Sequence, residues 1–136
     1  MEKEAYFLLN YQLDNDILSS MRTLTKDTIN KIGQSIVLMG WVHARRDHGK
    51  LIFIDLRDRW GLAQIVFSAE GGSASGGSPK NESLLKEADR LRPEWVIKIE
   101  GIVKERPKGM ENPELPTGNI EIEAVTLEIL AEAKTP

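Results

Sequence analysis

No cysteine occurs among the 136 residues, so neither a disulfide framework nor a thiolate metal site is open to this chain. Two histidines, His43 and His48, are a poor basis for a zinc site. Long apolar runs are also lacking. Nothing approaches the roughly 18 residues of a membrane span, and the stretch from Ala5 to Leu9 is too short and too acidic in its flanks for a secretion signal. The expectation is a soluble, cytoplasmic protein held together by packing alone. Aromatic residues make up only 6% of the chain, which leaves few rings for stacking.

A basic excess is missing as well, since the formal net charge is −3, and this at first argues against a polyanionic partner. The average conceals a gradient. Glu2, Glu4, Asp14 and Asp16 against Lys3 in the first 20 residues account for the whole of that charge. Between Gly40 and Phe67, Arg45, Arg46, Lys50, Arg57 and Arg59 outnumber Asp47, Asp55 and Asp58. One basic face on a neutral body fits these numbers, and so does an ordinary solvated surface.

With 40% hydrophobic and 29% charged residues the chain suffices for one compact domain. Residues 1–20 read as an appendage in which Phe7, Leu8, Tyr11, Leu13 and Leu18 are loosely helix-periodic. Residues 25–33 read as a short helical turn ending at Gly33. Strands are expected over 36–43, with Gly40 marking a bend or bulge, over 51–57 after the polar turn 46–50, and over 62–67. The period then changes: Leu84, Leu85, Ala88 and Leu91 define an amphipathic helix over 83–92, capped by Asn81 and stopped by Pro93. Residues 95–103 and 119–124 supply two further strands, with 125–130 as a continuation. The order β-β-β-α-β-β, all-β with one helix, is what a five-stranded OB-fold Greek-key barrel would show, with other small β barrels as the alternative. Residues 71–79 have the composition of a flexible linker, natural or engineered, and residues 106–118, with three prolines, that of a strand-free loop.

Catalytic patterns are lacking. There is no phosphate-cradling Gly-x-x-x-x-Gly-Lys run, no nucleophile elbow and no metal-spaced cluster, and the aspartates lie beside arginines or in turns. Recognition is better supported. Alternation puts Leu51, Phe53, Asp55 and Arg57 on one face of a strand and Ile52, Ile54 and Leu56 on the other. If the isoleucines face the core, Phe53 is an exposed ring on which a base can stack; the inverted register buries it, and periodicity does not separate the two. Gln64 can donate and accept at a base edge, and Glu121 can accept from a guanine edge, yet each alone also reads as an ordinary exposed strand residue.

Taken together, Gly40-Trp41-Val42, Arg45-Arg46-Asp47, Phe53-Ile54-Asp55-Leu56-Arg57-Asp58, Gln64 and Pro116-Thr117-Gly118 with Ile120-Glu121 resemble the anticodon-binding domain of bacterial-type, class II aspartyl-tRNA synthetases. The resemblance runs from Met21 to Pro136, apart from the glycine–serine stretch, in which the chain departs from the family's pattern. It implies an OB-fold over 21–130, with 131–136 as a hinge toward a catalytic domain that these residues do not include. It also implies that Phe53 stacks on the middle anticodon base, that Arg46 and Gln64 meet its edge or the adjoining phosphate, that Arg106 reaches the third base or backbone, and that Glu121 reads the first base. Arg45, Arg57 and Asn112 are further candidates for nucleic-acid contact. The partner implied is aspartate tRNA, with asparagine tRNA as the second candidate. The chain itself is expected to bind RNA without catalysis and without a cofactor, ATP and magnesium belonging to the catalytic domain. The parent enzyme is expected as a homodimer and the isolated domain as a monomer.

His48 and Gly109 bear on which tRNA is accepted. In the family that this chain resembles, enzymes restricted to the aspartate anticodon tend to carry leucine and a basic residue at these places, and those accepting asparagine tRNA as well tend to carry histidine and glycine. A neutral imidazole offers one donor and one acceptor and so can satisfy either cytosine or uracil, and glycine removes a side chain that would penalise the wrong base; equally, His48 reads as a solvated turn residue and Gly109 as a turn former. Two other readings stand beside this one: an OB-fold interaction or scaffold domain, motivated by net acidity and the linker-like loop, and a general single-strand-binding barrel. The latter ordinarily offers several stacking rings, and Phe53 is the one well-placed candidate here.

Overall fold

The computed structural model describes residues 22–69 and 79–133; the expectations for residues 1–20, for most of the linker-like stretch and for the end of the hinge lie outside them. Five strands, β1 (Ser35–His48), β2 (Leu51–Asp58), β3 (Gly61–Ser68), β4 (Val96–Glu105) and β5 (Ile120–Ala131), close into a barrel in the order β1-β2-β3-β5-β4. A 3-10 turn, Thr25–Asn30, precedes β1, and one helix, α1 (Pro79–Asp89), lies between β3 and β4. This is the expected order, and closure removes the open edges that a five-stranded sheet would otherwise present.

Period-two alternation fills the barrel. Ile52, Ile54 and Leu56 of β2 are buried together with Ala63, Ile65 and Phe67 of β3, Ile97, Ile99 and Val103 of β4, and Ile120 and Ile122 of β5. The register in which the isoleucines face inward is therefore the one adopted, and Phe53 lies on the outer face, half-buried. From α1 and the residues after it, Ala88 and Leu91 reach the core, with Leu84 and Leu85 partly buried against it. No described helix is long and apolar enough to cross a membrane.

Three local features differ from expectation, while the last strand continues over 125–130 as expected. β1 runs on to His48, so the turn shrinks to Gly49 and Lys50, with Gly49 at a φ of 61°. The helix starts at Pro79, so Asn81 lies inside it rather than capping it; proline suits a first helical position because the N–H it lacks has no intrahelical partner there. β5 is one continuous strand of 12 residues. The irregularity of β1 falls between Val42 and Ala44, not at Gly40. Gly40 meets a different need: a Cβ there would run into the Arg57 carbonyl oxygen of β2, where β1 changes partner from β4 to β2.

That irregularity decides what the two adjacent arginines do. Beyond it Arg45 pairs with inward-facing Ile54, and Arg46 with outward-facing Phe53. Arg45 reaches to the end of α1, where it donates to the carbonyl oxygens of Asp89 (2.7 Å) and Leu91 (3.0 Å), to Asp89 Oδ1 (2.7 Å) and to both carboxylate oxygens of Asp47 (2.8 and 2.9 Å). It caps the carbonyls that a helix C-terminus leaves unpaired, a structural role that the sequence did not suggest. The hydrogen bond from Arg45 holds the Asp47 carboxyl below the usual carboxylate range. Arg45→Ala is expected to cost about 1–2 kcal/mol of stability in a denaturant titration and to leave RNA affinity within about two-fold. A large affinity loss at unchanged stability would return Arg45 to the binding surface.

Candidate nucleic-acid interface

The outer face of β1, β2 and β3 presents Arg46, Phe53 and Val66 in one cross-strand row, with Asp55 and Gln64 in the next. With the loop after β4 and the outer face of β5 they border an open groove of about 520 Å³, lined among others by His48, Phe53, Gln64, Met110 and Glu121. Phe53 forms the apolar floor. His48 packs against it in a T-shaped pair, the ring centroids 5.7 Å apart and the planes at 82°, and both rings line the groove.

Beside the ring runs a chain of polar contacts. Arg46 grips Asp55 through two bonds, Nη1 to Oδ2 at 2.8 Å and Nη2 to Oδ1 at 3.2 Å, and donates from Nη2 to Gln64 Oε1 at 2.9 Å. Gln64 Nε2 donates to Glu121 Oε1 at 3.1 Å. The Asp55 carboxylate raises the Arg46 guanidinium pKa, so Arg46 is a fixed cation. Gln64 and Glu121 are only 8% and 6% exposed, which overturns their reading as ordinary exposed strand residues. They meet because β3 and β5 run parallel, with Ile65 opposite Ile122. In this network the Gln64 amide is oriented, carbonyl toward Arg46 and NH₂ toward Glu121, and an oriented amide can tell one base edge from another.

Arg106 lies deeper. Its Nε donates to the Ile120 carbonyl at 2.9 Å, and burial lowers its pKa while the charges of Glu121 and Asp55 oppose that shift. It does not project as a free arm, since it is 8% exposed, but its buried Nη2 has no hydrogen-bond partner among the described residues. A buried donor without an acceptor is costly, and a ligand oxygen there would offset the cost.

Two other candidates are placed elsewhere. Asn112 accepts the Glu114 backbone N–H at Oδ1 (3.1 Å), and its own backbone N–H donates to the Gly118 carbonyl (3.0 Å), so it shapes the loop and does not line the groove. Arg57 shares the outer face of β2 but sits opposite Trp41 and Leu62, beyond the groove. Gly109 adopts a φ of +91°, a conformation that favours glycine whatever the neighbouring space, and precedes Met110, which is 67% exposed at the groove. Sequence reasoning missed Met110, Val66 and the Lys104–Glu123 ion pair (2.8 Å) along β4 and β5. For Lys104 and Glu123 the signal was available: each lies two residues from a candidate already chosen, on the same strand face or its extension.

Comparison with known proteins agrees with this geometry. The tRNA anti-codon family model, described as an OB-fold nucleic acid binding domain, matches residues 36–130. The aspartate–tRNA(Asp/Asn) ligase of Rubrobacter xylanophilus is 51% identical over 107 residues, covering 79% of this chain and 16% of that protein. The enzyme of the same name from Thermodesulfovibrio yellowstonii is 52% identical over 104 residues, covering 76% and 16%. The chain thus spans about one sixth of the length of these curated relatives. Among solved structures, asparaginyl-tRNA synthetase from Pyrococcus horikoshii superposes with a TM-score of 0.63 at 26% identity, covering 82% of this chain and 23% of that one. The aspartyl-tRNA synthetase of Entamoeba histolytica, at 16% identity and a TM-score of 0.70 over 85% of this chain and 22% of that one, shares the fold. By sequence and by architecture the chain belongs to the tRNA anti-codon family of OB-fold nucleic acid binding domains, of the kind found in aspartyl- and asparaginyl-tRNA synthetases.

Proposed function

We propose that this domain reads the anticodon loop of aspartate tRNA, and of asparagine tRNA as well, on behalf of an aspartate–tRNA ligase acting in the cytoplasm. The observation that carries the reading is the juxtaposition of a ring open to the groove, Phe53, with the Arg46–Gln64–Glu121 chain along its edge. Phe53 stacks on the middle base, and Arg46 and Gln64 meet its edge or the adjoining phosphate. Glu121 accepts from the first base, and Arg106 offers its unpartnered Nη2 to a base or backbone oxygen. Aminoacylation, with its ATP and magnesium, belongs to the remainder of such a ligase. That the two similar ligases named above carry Asp/Asn in their names supports the wider tRNA range, as does His48 at the groove beside Phe53.

Binding titrations with isolated anticodon stem-loops test this. The aspartate and asparagine sequences, which differ only at the third base, are expected to bind within a few-fold of each other, and His48→Leu to widen the gap. A wild-type preference for the aspartate stem-loop above roughly 100-fold, about 2.7 kcal/mol, would overturn the relaxed specificity and leave anticodon binding standing. Equal affinity for an unrelated stem-loop would instead favour a general single-strand-binding barrel.

A further inference from the structure

At the end of β2 away from the β1–β2 turn, the chain holds a second cationic and aromatic cluster. Trp60, in the β2–β3 turn, lies near two exposed cations: Lys26 Nζ is 5.9 Å from its ring centroid and Arg59 Cζ 6.0 Å. The turn is rigidly built. The Asp58 carboxylate, 3% exposed, accepts from the backbone N–H groups of Trp60 (2.8 Å) and Gly61 (3.1 Å), and from the N–H (2.9 Å) and hydroxyl (2.7 Å) of Thr25 in the 3-10 turn. One buried carboxylate thereby locks the segment carrying Trp60 and Arg59 to the segment carrying Lys26. Its own charge is turned inward, toward these four donors, while both cations face solvent.

We propose that Lys26 and Arg59, steadied by Trp60, bind a backbone phosphate of the same tRNA, outside the anticodon. The inference rests on the anticodon reading above for the identity of the RNA. Its position follows from the strand. Phe53, Asp55 and Arg57 share the outer face of β2, and Arg59 follows at the turn, so the cluster lies at the end of the strand that carries the groove's ring, beyond the groove itself. Six residues at about 3.3 Å each place Arg59 roughly 20 Å from Phe53. Three stacked bases span about 10 Å, so the cluster lies beyond the anticodon and meets the flanking nucleotides. A phosphate rather than a base fits the chemistry, because the ring is occupied with cations, and a guanidinium beside an ammonium suits an oxyanion. Holding the two side chains against an indole reduces the freedom they lose on binding.

The test uses this chain with two RNAs: a whole aspartate tRNA transcript and a single-stranded oligonucleotide containing only the anticodon loop. The Lys26→Ala/Arg59→Ala double variant is expected to bind the transcript more weakly, with the slope of log K against log salt shallower by about 0.7–0.9 for each phosphate no longer neutralised. Its affinity for the oligonucleotide is expected to stay unchanged. An unchanged slope with the transcript, or an equal loss with both RNAs, would overturn the proposal. Phe53→Ala serves as the separate control: it weakens binding of both RNAs if the anticodon reading holds. If it weakens neither while the double variant still flattens the transcript's salt dependence, the anticodon reading fails and the phosphate contact stands. Arg59→Lys, which keeps the charge, is expected to retain most of the slope, whereas a loss as great as that of Arg59→Ala in stability and slope together would mark a folding role and overturn it.

Discussion

Phe53→Ala is expected to weaken anticodon stem-loop binding by about 1–3 kcal/mol, roughly 5- to 150-fold in Kd, with the barrel intact. The ring sits on the outer face of β2 in a T-shaped pair with His48, between Arg46 and Val66 on the flanking strands, so its removal subtracts a stacking surface and leaves the inward row Ile52, Ile54 and Leu56 untouched. The loss of thermodynamic stability should stay well short of the roughly 3–5 kcal/mol that emptying a buried aromatic site costs. Paired titrations of RNA affinity and chemical denaturation decide the matter. Unaltered affinity together with a large drop in stability would make Phe53 a packing residue and remove the basis for base stacking.

The largest effect on folding is expected at Asp58. Its carboxylate serves four donors from two segments that are 33 residues apart in the chain at the Thr25 contact. Alanine removes the acceptor of the backbone N–H groups of Thr25, in a buried bond, and of Trp60 and Gly61, in part-buried ones, at a cost of about 1–3 kcal/mol for each group that water does not reach. Some relaxation of the turn is expected, giving a net loss of about 3–4 kcal/mol, read as a shift of the denaturant midpoint at unchanged slope. Asp58→Asn keeps one acceptor oxygen and should lose less. A shift below about 1 kcal/mol for alanine would show that the two segments hold without the carboxylate.

The alternation in β2 and the helical period of Leu84, Leu85, Ala88 and Leu91 made the barrel, its order and the helix legible, because each records burial on one side of a regular element. The division of labour between Arg45 and Arg46 was not legible. Continuing the alternation of Leu38 and Val42 would turn Arg46 inward, and the single irregularity after Val42 exchanges the two, a local choice that hydrophobic period does not record. Gln64 and Glu121 carried no mark of their union either. It depends on a parallel pairing between residues 57 apart, which only closure of the barrel brings about. Asn112 and Asp58 show a third limit: small polar side chains in turns satisfy backbone donors as readily as they meet ligands, and only the bonds themselves distinguish the two.

The parallel contact between β3 and β5 spans just two paired positions, Ile65 with Ile122 and Val66 with Glu123, whereas β1 and β2 are paired along seven. So short a zipper is where the cylinder should part first, opening below the free energy of global unfolding and exposing the amides on either side to solvent exchange. Phe53 and Gln64 stand on one lip of that opening and Glu121 on the other, so an RNA held by all three acts as a clasp across it. Under the proposed function, amide protons near Ile65 and Ile122 should therefore exchange more slowly in the complex than in the free protein, while those between β1 and β2 change little, because bound RNA would steady a seam that is already closed.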